Sequence, residues 1–341
     1  MDDQQRAVVV GISGCSSSGK TTLARLLRDM FPGTFILHQD DFYKTEDQLP
    51  MKEGLLDWDC PEAISVPDME RCLAHIRSTG AFPVSLTTSS SPPLSQRADH
   101  GCCPPPPTPL NTATATPASP SLTTALPPSP SALQTALVDS KEDQNSVGAC
   151  PAAPERIAAA AARVQAWLRP GQPGSLAFSP PTSSKSPSPP PPKVCLLDGF
   201  LLYSPDTAVR AIMSAIDIKL FLLVSRAKAT RRREARDGYV TLEGFWKDPP
   251  GYVDKIVWPN YAAAHAWLFA GGDVERGVLD PDAAARYGIL VPGIQQGVAA
   301  TGEGGPSDGG VDVDVDFADI LDWAVDTLMR KLEEVVLGTS S

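Results

Sequence analysis

Residues 14–21 read GCSSSGKT, and this stretch decides the fold class. It matches the phosphate-binding pattern GxxxxGK[ST] at every fixed position. An apolar, β-branched run precedes it at residues 7–12, and a helical pattern follows at residues 22–29. In this context inward-facing backbone N–H groups and a helix N-terminus attract phosphate oxygens. The sequence therefore predicts a nucleoside triphosphate site, with Lys20 at the outer phosphates and the Thr21 hydroxyl as a Mg²⁺ ligand.

Composition and charge narrow the class of protein. The 341 residues include 35 prolines and carry a formal net charge of −11, which argues against a general nucleic-acid-binding surface. No run of 18 apolar residues is present, so we expect no membrane span. The first six residues lack the basic start and apolar core of a signal peptide, and the seven cysteines show no metal-ligand spacing. We therefore expect a cytoplasmic or nuclear location.

A change of composition divides the chain into three parts. Residues 1–82 predict a compact α/β half-domain, and residues 194–341 predict the second half of the same domain. Between them, residues 83–193 are rich in Pro, Ser, Thr and Ala, which predicts a long disordered insertion. Within the insertion, residues 154–168 carry apolar side chains at helical spacing, which predicts a helix that docks on the core.

Strands alternate with helices on both sides of the insertion. Buried-strand runs occupy residues 194–197 and 216–224, and a basic helix is predicted over residues 225–237. This alternation is typical of a P-loop NTPase three-layer fold, a parallel doubly wound sheet flanked by helices with its ligand at the carboxyl ends of the strands. Asp198 closes one of these strands, where a carboxylate can hold Mg²⁺, although strands also end in Asp for reasons of turn geometry.

Carboxylates also follow the second predicted strand. Asp40 and Asp41 come directly after it, at the sheet edge where the γ-phosphate would lie. A carboxylate there can accept the proton of a hydroxyl that is being phosphorylated, whereas the alternative is an acidic turn or helix cap. Further on, Asp59 beside Trp58 can hold a ribose diol and stack a base, although a single Trp often belongs to the core.

Positive charge is concentrated in the basic helix. Arg232 and Arg236 are four residues apart and so share one face of a helix, where they can clamp a triphosphate during transfer. The alternative is a solvated basic face. After the helix, Tyr239 can form a second aromatic wall beside the substrate.

Several short motifs resemble those of a known family. They are GISGCSSSGKTT at 11–22, QDDFYK at 39–44, WD at 58–59, DGFLL at 198–202, RRREAR at 231–236 and PGYVDKIVWPNY at 250–261. With these motifs the chain resembles the uridine kinase-related P-loop nucleoside kinases, and among them the nicotinamide riboside kinases. The resemblance covers residues 7–80 and 194–265.

This resemblance implies ATP- and Mg²⁺-dependent phosphorylation of the ribose 5′-hydroxyl of nicotinamide riboside, which gives nicotinamide mononucleotide for NAD synthesis. It implies that Asp40 is the general base and that Lys20 assists catalysis. The implied ATP-binding residues are Gly14, Ser16, Ser17, Ser18, Gly19, Lys20, Thr21, Thr22, Arg232 and Arg236. The implied substrate-binding residues are Asp40, Tyr43, Trp58, Asp59, Arg233 and Tyr239. Thr21 and Asp198 are the implied metal ligands.

Two other functions fit the sequence. Uridine or cytidine kinase activity on the same fold is one, because DCPEA at residues 59–63 suits it nearly as well. The other is a P-loop binding protein that acts through its Pro-rich insertion, because such segments are ligands for aromatic grooves.

Overall fold

A computed structural model describes residues 6–83, 148–178, 191–205, 209–236, 238–241, 244–293 and 313–338. Most of the predicted Pro/Ser-rich insertion lies outside the described residues. Its predicted disorder and its role as a partner-binding segment therefore stay predictions.

A parallel five-stranded sheet forms the centre of the fold. Its strands are β1 (Ala7–Gly14), β2 (Thr34–His38), β5 (Lys193–Asp198), β6 (Ile218–Leu222) and β9 (Ile289–Leu290), in the order β2-β5-β1-β6-β9. Two antiparallel hairpins are made by β3 (Met51–Lys52) with β4 (Leu55–Leu56) and by β7 (Tyr239–Thr241) with β8 (Gly244–Trp246). The parallel, doubly wound sheet confirms the predicted fold class.

Helices cover both faces of this sheet. They are α1 (Lys20–Met30), α2 (Val66–Thr79), α3 (Pro154–Trp167), α4 (Pro173–Phe178), α5 (Arg210–Ser214), α6 (Arg226–Glu234), α7 (Trp258–His265), α8 (Pro281–Tyr287) and α9 (Phe317–Leu337). Strand β1 is buried along its whole length, and its side chains alternate between the two apolar layers. Val9 joins the layer that contains α2 and α7, whereas Val8 and Val10 join the layer of α1, α3 and α9. No helix among the described ranges is both long and apolar enough to cross a membrane.

The helix α3 lies in the interval where the apolar periodicity predicts one. Pro154 begins it, at a position where the missing N–H costs no hydrogen bond. Arg156 and Arg163 form ion pairs with acidic side chains of α9, and Asp322 is shared by both arginines. At its end Trp167 packs edge-on against Phe31, with ring centroids 6.0 Å apart. This helix therefore completes the second apolar layer.

We expect Trp167→Ala to lower the free energy of unfolding by about 3–5 kcal/mol, because a large buried aromatic side chain is lost. Trp167→Phe should cost less, since a phenyl ring keeps part of these contacts, although one ring of the indole and the 2.6 Å hydrogen bond from Nε1 to Glu333 are lost. Trp167 contacts the end of α1 that is remote from the phosphate loop, so kcat should not change in either variant. Urea unfolding and steady-state kinetics check both expectations, and a fall in kcat at full stability would contradict them.

Candidate active site at the carboxyl edge of the sheet

The loop between β1 and α1 has the backbone of a phosphate cradle. Gly14, Ser17 and Gly19 all have positive φ angles, of 143°, 64° and 102°. A Cβ at Gly14 would lie 2.3 Å from the carbonyl oxygen of Leu222, so only glycine fits there. The side-chain oxygens of Ser17 and Ser18 are buried and have no hydrogen-bond partner among the described residues. Since buried hydroxyls without partners are costly, these two fit the oxygens of a bound phosphate.

Lys20 begins α1 and is buried beneath this loop. Its Nζ donates a hydrogen bond to the carbonyl oxygen of Cys15 at 3.0 Å. Burial lowers the pKa of Lys20, while the negative charges of Asp198 and Asp40 act in the opposite direction. The ammonium group therefore lies among the two carboxylates that sequence analysis assigned to metal binding and to proton transfer.

Thr21 and Asp198 lie together at the carboxyl edge of the sheet. The Thr21 hydroxyl donates to Asp198 Oδ2 at 2.5 Å, and His38 Nδ1 lies 3.2 Å from the same oxygen. Burial opposes ionisation of Asp198, but the hydrogen bond and charge of His38, together with the charge of Lys20, outweigh it and lower the pKa of the carboxyl. Two oxygen donors of this kind fit Mg²⁺, a cation that usually takes one or two protein ligands and keeps several waters.

Asp40 lies in a short 3₁₀ turn (Gln39–Phe42) that follows β2. Its side chain is exposed to the cleft, but the surrounding protein still removes solvent, and together with the charge of Asp198 this raises the pKa of Asp40 to about 6. The preceding Gln39 is buried and exchanges two hydrogen bonds of 3.0 Å with the backbone of Leu201. Gln39 thereby fixes the turn that presents Asp40.

A buried ion cluster joins the two halves of the chain beside this edge. The Arg233 guanidinium donates to both carboxylate oxygens of Asp59, at 2.8 and 3.1 Å. It also donates to both oxygens of Asp248, at 2.6 and 3.2 Å. Arg233 is 7% exposed and Asp59 is 5% exposed. Burial alone would lower the pKa of Arg233, but the two carboxylates raise it well above its usual value, so the guanidinium stays charged.

Aromatic side chains surround the ion cluster. The buried Trp58 contacts Tyr43 edge-on at 5.2 Å and Trp246 at 5.8 Å between ring centroids. Tyr239 lies next to the guanidinium of Arg233, whose Cζ is 5.1 Å from the ring centroid. The Nε1 of Trp58 and the hydroxyl of Tyr239 are buried without a hydrogen-bond partner among the described residues. The hydrogen-bonding capacity of both groups is therefore unsatisfied among the described residues.

Arg232 and Arg236 lie on different structural elements. Arg232 donates to the carbonyl oxygen of Ser17 at 3.3 Å and so contacts the phosphate loop directly. Arg236 lies two residues beyond the end of α6, with its Cζ 5.2 Å from the ring centroid of Tyr239. The predicted helix over residues 225–237 is therefore too long, because the chain turns at Ala235. A cavity of about 140 Å³, lined in part by Arg233, Arg236 and Tyr239, adjoins this turn.

Three residues of this region escaped sequence analysis: Gln39, Trp246 and Asp248. Gln39 directly precedes Asp40, and a polar residue at the end of a buried strand was a usable signal. Asp248 directly precedes the Pro-Pro-Gly-Tyr turn, but nothing in the sequence shows that it pairs with an arginine fifteen residues earlier. Trp246 lies at the end of a three-residue strand, which is too short to be recognised from alternation of apolar and polar residues.

Comparison with known proteins places the chain among relatives of one kind. No family model matches it. It is 30% identical to the nicotinamide riboside kinase of Schizosaccharomyces pombe over 276 residues, which cover 81% of this chain and 86% of the relative. The enzymes of the same name from Eremothecium gossypii and Saccharomyces cerevisiae are 30% and 26% identical, over 82% and 81% of this chain and 85% of each relative. Because this similarity spans more than four-fifths of both chains, the protein belongs to the nicotinamide riboside kinase family.

Proposed function

We propose that this chain transfers the γ-phosphoryl group of ATP to the ribose 5′-hydroxyl of nicotinamide riboside, which gives ADP and nicotinamide mononucleotide. The observation that carries the proposal is that one cleft combines a phosphate loop, the open carboxyl of Asp40 and the buried Asp59–Arg233 pair. A general NTPase needs only the first of these. The names of the relatives supply the pyridine riboside as the substrate.

In this proposal Asp40 accepts the proton of the 5′-hydroxyl as its oxygen attacks the γ-phosphorus. Asp40 can do so near neutral pH because its pKa of about 6 leaves it ionised there and still basic enough to take a proton. The bond from the γ-phosphorus to the bridging oxygen of ADP breaks as the new P–O bond forms.

Positive charge balances the phosphates during this transfer. Lys20 is the cation at the outer phosphates, and Arg232, bonded to the loop, adds a second. Arg236 would reach the nucleotide from the turn beyond α6. Thr21 and Asp198 would hold Mg²⁺. When bound, this ion neutralises charge on the β- and γ-phosphate oxygens.

The ion cluster would bind the nucleoside. Asp59 and Arg233 offer an acceptor and a donor to the ribose 2′- and 3′-hydroxyls. Trp58 and Tyr239 would lie on the two sides of the pyridine ring. Tyr43, edge-on to Trp58, would support that wall.

A substrate panel tests the function. ATP-dependent phosphorylation would be measured with nicotinamide riboside, nicotinic acid riboside, uridine and cytidine, and Asp40→Asn would be assayed in parallel. We expect turnover of the pyridine ribosides that is lost in the variant. Preference for uridine or cytidine would preserve the mechanism and overturn the substrate. ATP binding without turnover of any nucleoside would favour the binding-protein alternative.

Deletion of residues 85–147 from the Pro-rich insertion belongs to the same panel. Unchanged turnover would restrict that segment to a tether or partner-binding role outside catalysis.

We place the reaction in a reducing compartment such as the cytoplasm, because all five cysteines that the structure describes are free thiols.

The metal assignment predicts a change in magnesium dependence. Asp198→Asn should raise the Mg²⁺ concentration for half-maximal activity by at least about tenfold, because a ligating carboxylate is lost, and excess Mg²⁺ should restore part of the rate. Asp217→Asn is the matched control. That carboxylate accepts hydrogen bonds from the Val9 backbone and from Arg77 at the opposite edge of the sheet. An equal rise in the half-maximal Mg²⁺ concentration in both variants would contradict the assignment of Asp198 as a metal ligand.

A further inference from the structure

The segment from Leu56 to Asp59 carries two of the proposed substrate contacts and is held from the C-terminal half of the chain. The hydroxyl of Tyr252 accepts the Trp58 N–H at 3.0 Å and donates to the Leu56 carbonyl oxygen at 3.0 Å. A second attachment, between Asp57 and Asn260, uses side chains that are not members of the ion cluster.

Asp57 is a buried carboxylate, 4% exposed, with no cation in direct contact with it among the ion pairs of the described residues. Asn260 Nδ2 donates to both of its oxygens, at 2.8 Å each. Asp57 Oδ1 also accepts the backbone N–H of Asp59 at 3.0 Å. On the far side, Lys52 Nζ donates to Asn260 Oδ1 at 2.6 Å.

The amide of Asn260 has only one workable orientation in this chain of contacts. Reversed, its oxygen would face the carboxylate of Asp57 and its NH₂ group would face the ammonium of Lys52, so both contacts would become repulsive. Asn260 therefore requires an acceptor at position 57 and a donor at position 52. The arrangement is specific in polarity and not merely in size.

We propose that Asp57 and Asn260 are positioning residues for the nucleoside, an inference that rests on the proposed function. Neither touches the reacting atoms. Asp57 fixes the backbone N–H of Asp59 in a tight turn, and Asn260 fixes Asp57 against α7. The carboxylate of Asp59 is thereby set opposite Arg233 before substrate arrives. A segment that is already held in its binding geometry loses less conformational freedom when the nucleoside binds. The Asp57–Asn260 contacts should therefore raise the affinity for the nucleoside.

An exchange of the two side chains tests this proposal. In Asp57→Asn, an amide donor replaces one acceptor that faces Asn260, and in Asn260→Asp, two carboxylates face each other. Each single variant should raise the KM for nicotinamide riboside about tenfold, since a buried polar group loses its partner, with little change in the KM for ATP. The double variant restores the donor–acceptor match in reverse, and it leaves an acceptor for both the Asp59 N–H and Lys52. Its KM should return close to the wild-type value.

The outcomes separate the inference from the function on which it rests. Single variants that lose thermal stability but keep the wild-type KM would overturn the positioning role, as would a double variant without rescue. Asp322→Asn, which breaks surface ion pairs of α9, is the matched control and should leave the KM unchanged. A wild-type protein that binds ATP but does not phosphorylate nicotinamide riboside would overturn the proposed function itself, and this inference with it.

Discussion

Replacement of Asp40 by asparagine should reduce kcat by about a hundred- to ten-thousand-fold, the range that a positioned general base contributes. The amide is the same size, so the turn that Gln39 holds should persist, and ATP should bind with unchanged affinity. Single-turnover kinetics together with a direct ATP-binding measurement distinguish these effects. The loss should appear in the chemical step and not in nucleotide binding.

Asp41→Asn is the internal control for this experiment. Asp41 lies in the same 3₁₀ turn and carries the same charge, so a general loss of acidity in the cleft would affect both variants. We expect Asp41→Asn to keep most of the activity. Equal losses in the two variants would show that the acidic turn is structural and that Asp40 is not the base.

The pKa of Asp40 should also determine how kcat/KM depends on pH. Only the ionised carboxylate accepts a proton, and its pKa is raised to about 6. The kcat/KM of the wild type should therefore fall as the pH drops through about 6, and it should level off above that value. In Asp40→Asn the residual activity should lack this acidic limb. A limb that persists in the variant would belong to another group.

Removal of the buried guanidinium should lower both the stability of the fold and the affinity for the nucleoside. Arg233→Met keeps much of the side-chain volume but leaves the buried Asp59 and the partly buried Asp248 without their shared cation, which should cost about 3–5 kcal/mol of unfolding free energy. The KM for nicotinamide riboside should rise by roughly a hundredfold, since hydrogen bonds to charged groups contribute about 1.5–3 kcal/mol each. Arg233→Lys should be intermediate, because an ammonium cannot form paired hydrogen bonds with two carboxylates.

Arg231→Met is the matched control, because Arg231 is an exposed member of the same basic run, and its loss should change stability by less than about 0.5 kcal/mol. The deficit of Arg233→Met should also depend on pH. A buried carboxylate without a partner has a raised pKa, so its penalty is small below the unfolded-state value of about 3.9 and grows as the pH rises. Urea denaturation at several pH values measures this, and a deficit independent of pH would contradict the charge argument.

Much of the fold could be predicted because its signals are local. The phosphate loop depends on glycine and lysine spacing within eight residues, and the buried strands are continuous apolar runs. The order of the strands is not local, since β5 follows a long insertion and yet lies between β1 and β2. The end of α6 was misjudged for a related reason: charged residues continue past Glu234, and helix propensity alone does not show where the chain turns toward β7.

In the candidate site, too, residues within local motifs could be predicted, and residues that reach the site through tertiary packing could not. Asp40, Asp59 and Arg233 could be selected from sequence because each lies in or beside a motif. Their assigned roles are still proposals, although the structure brings Asp59 and Arg233 into direct contact. The contacts that hold them could not be predicted, because Asp248 and Asn260 reach the site only through tertiary packing. A carboxylate without a motif becomes informative only when its partner is known.

The position of β5 has a consequence for the length of the chain between the two halves. β1 and β2 do not pair with each other, and each is bonded to β5, so these two strands form no part of the central sheet until the strand after the insertion arrives. That closure is entropic, and its cost grows only with the logarithm of loop length, at about 0.6 kcal/mol for each doubling. Outside α3 and α4, which pack on the core, a change in the length of this connection should therefore cost the kinase core little.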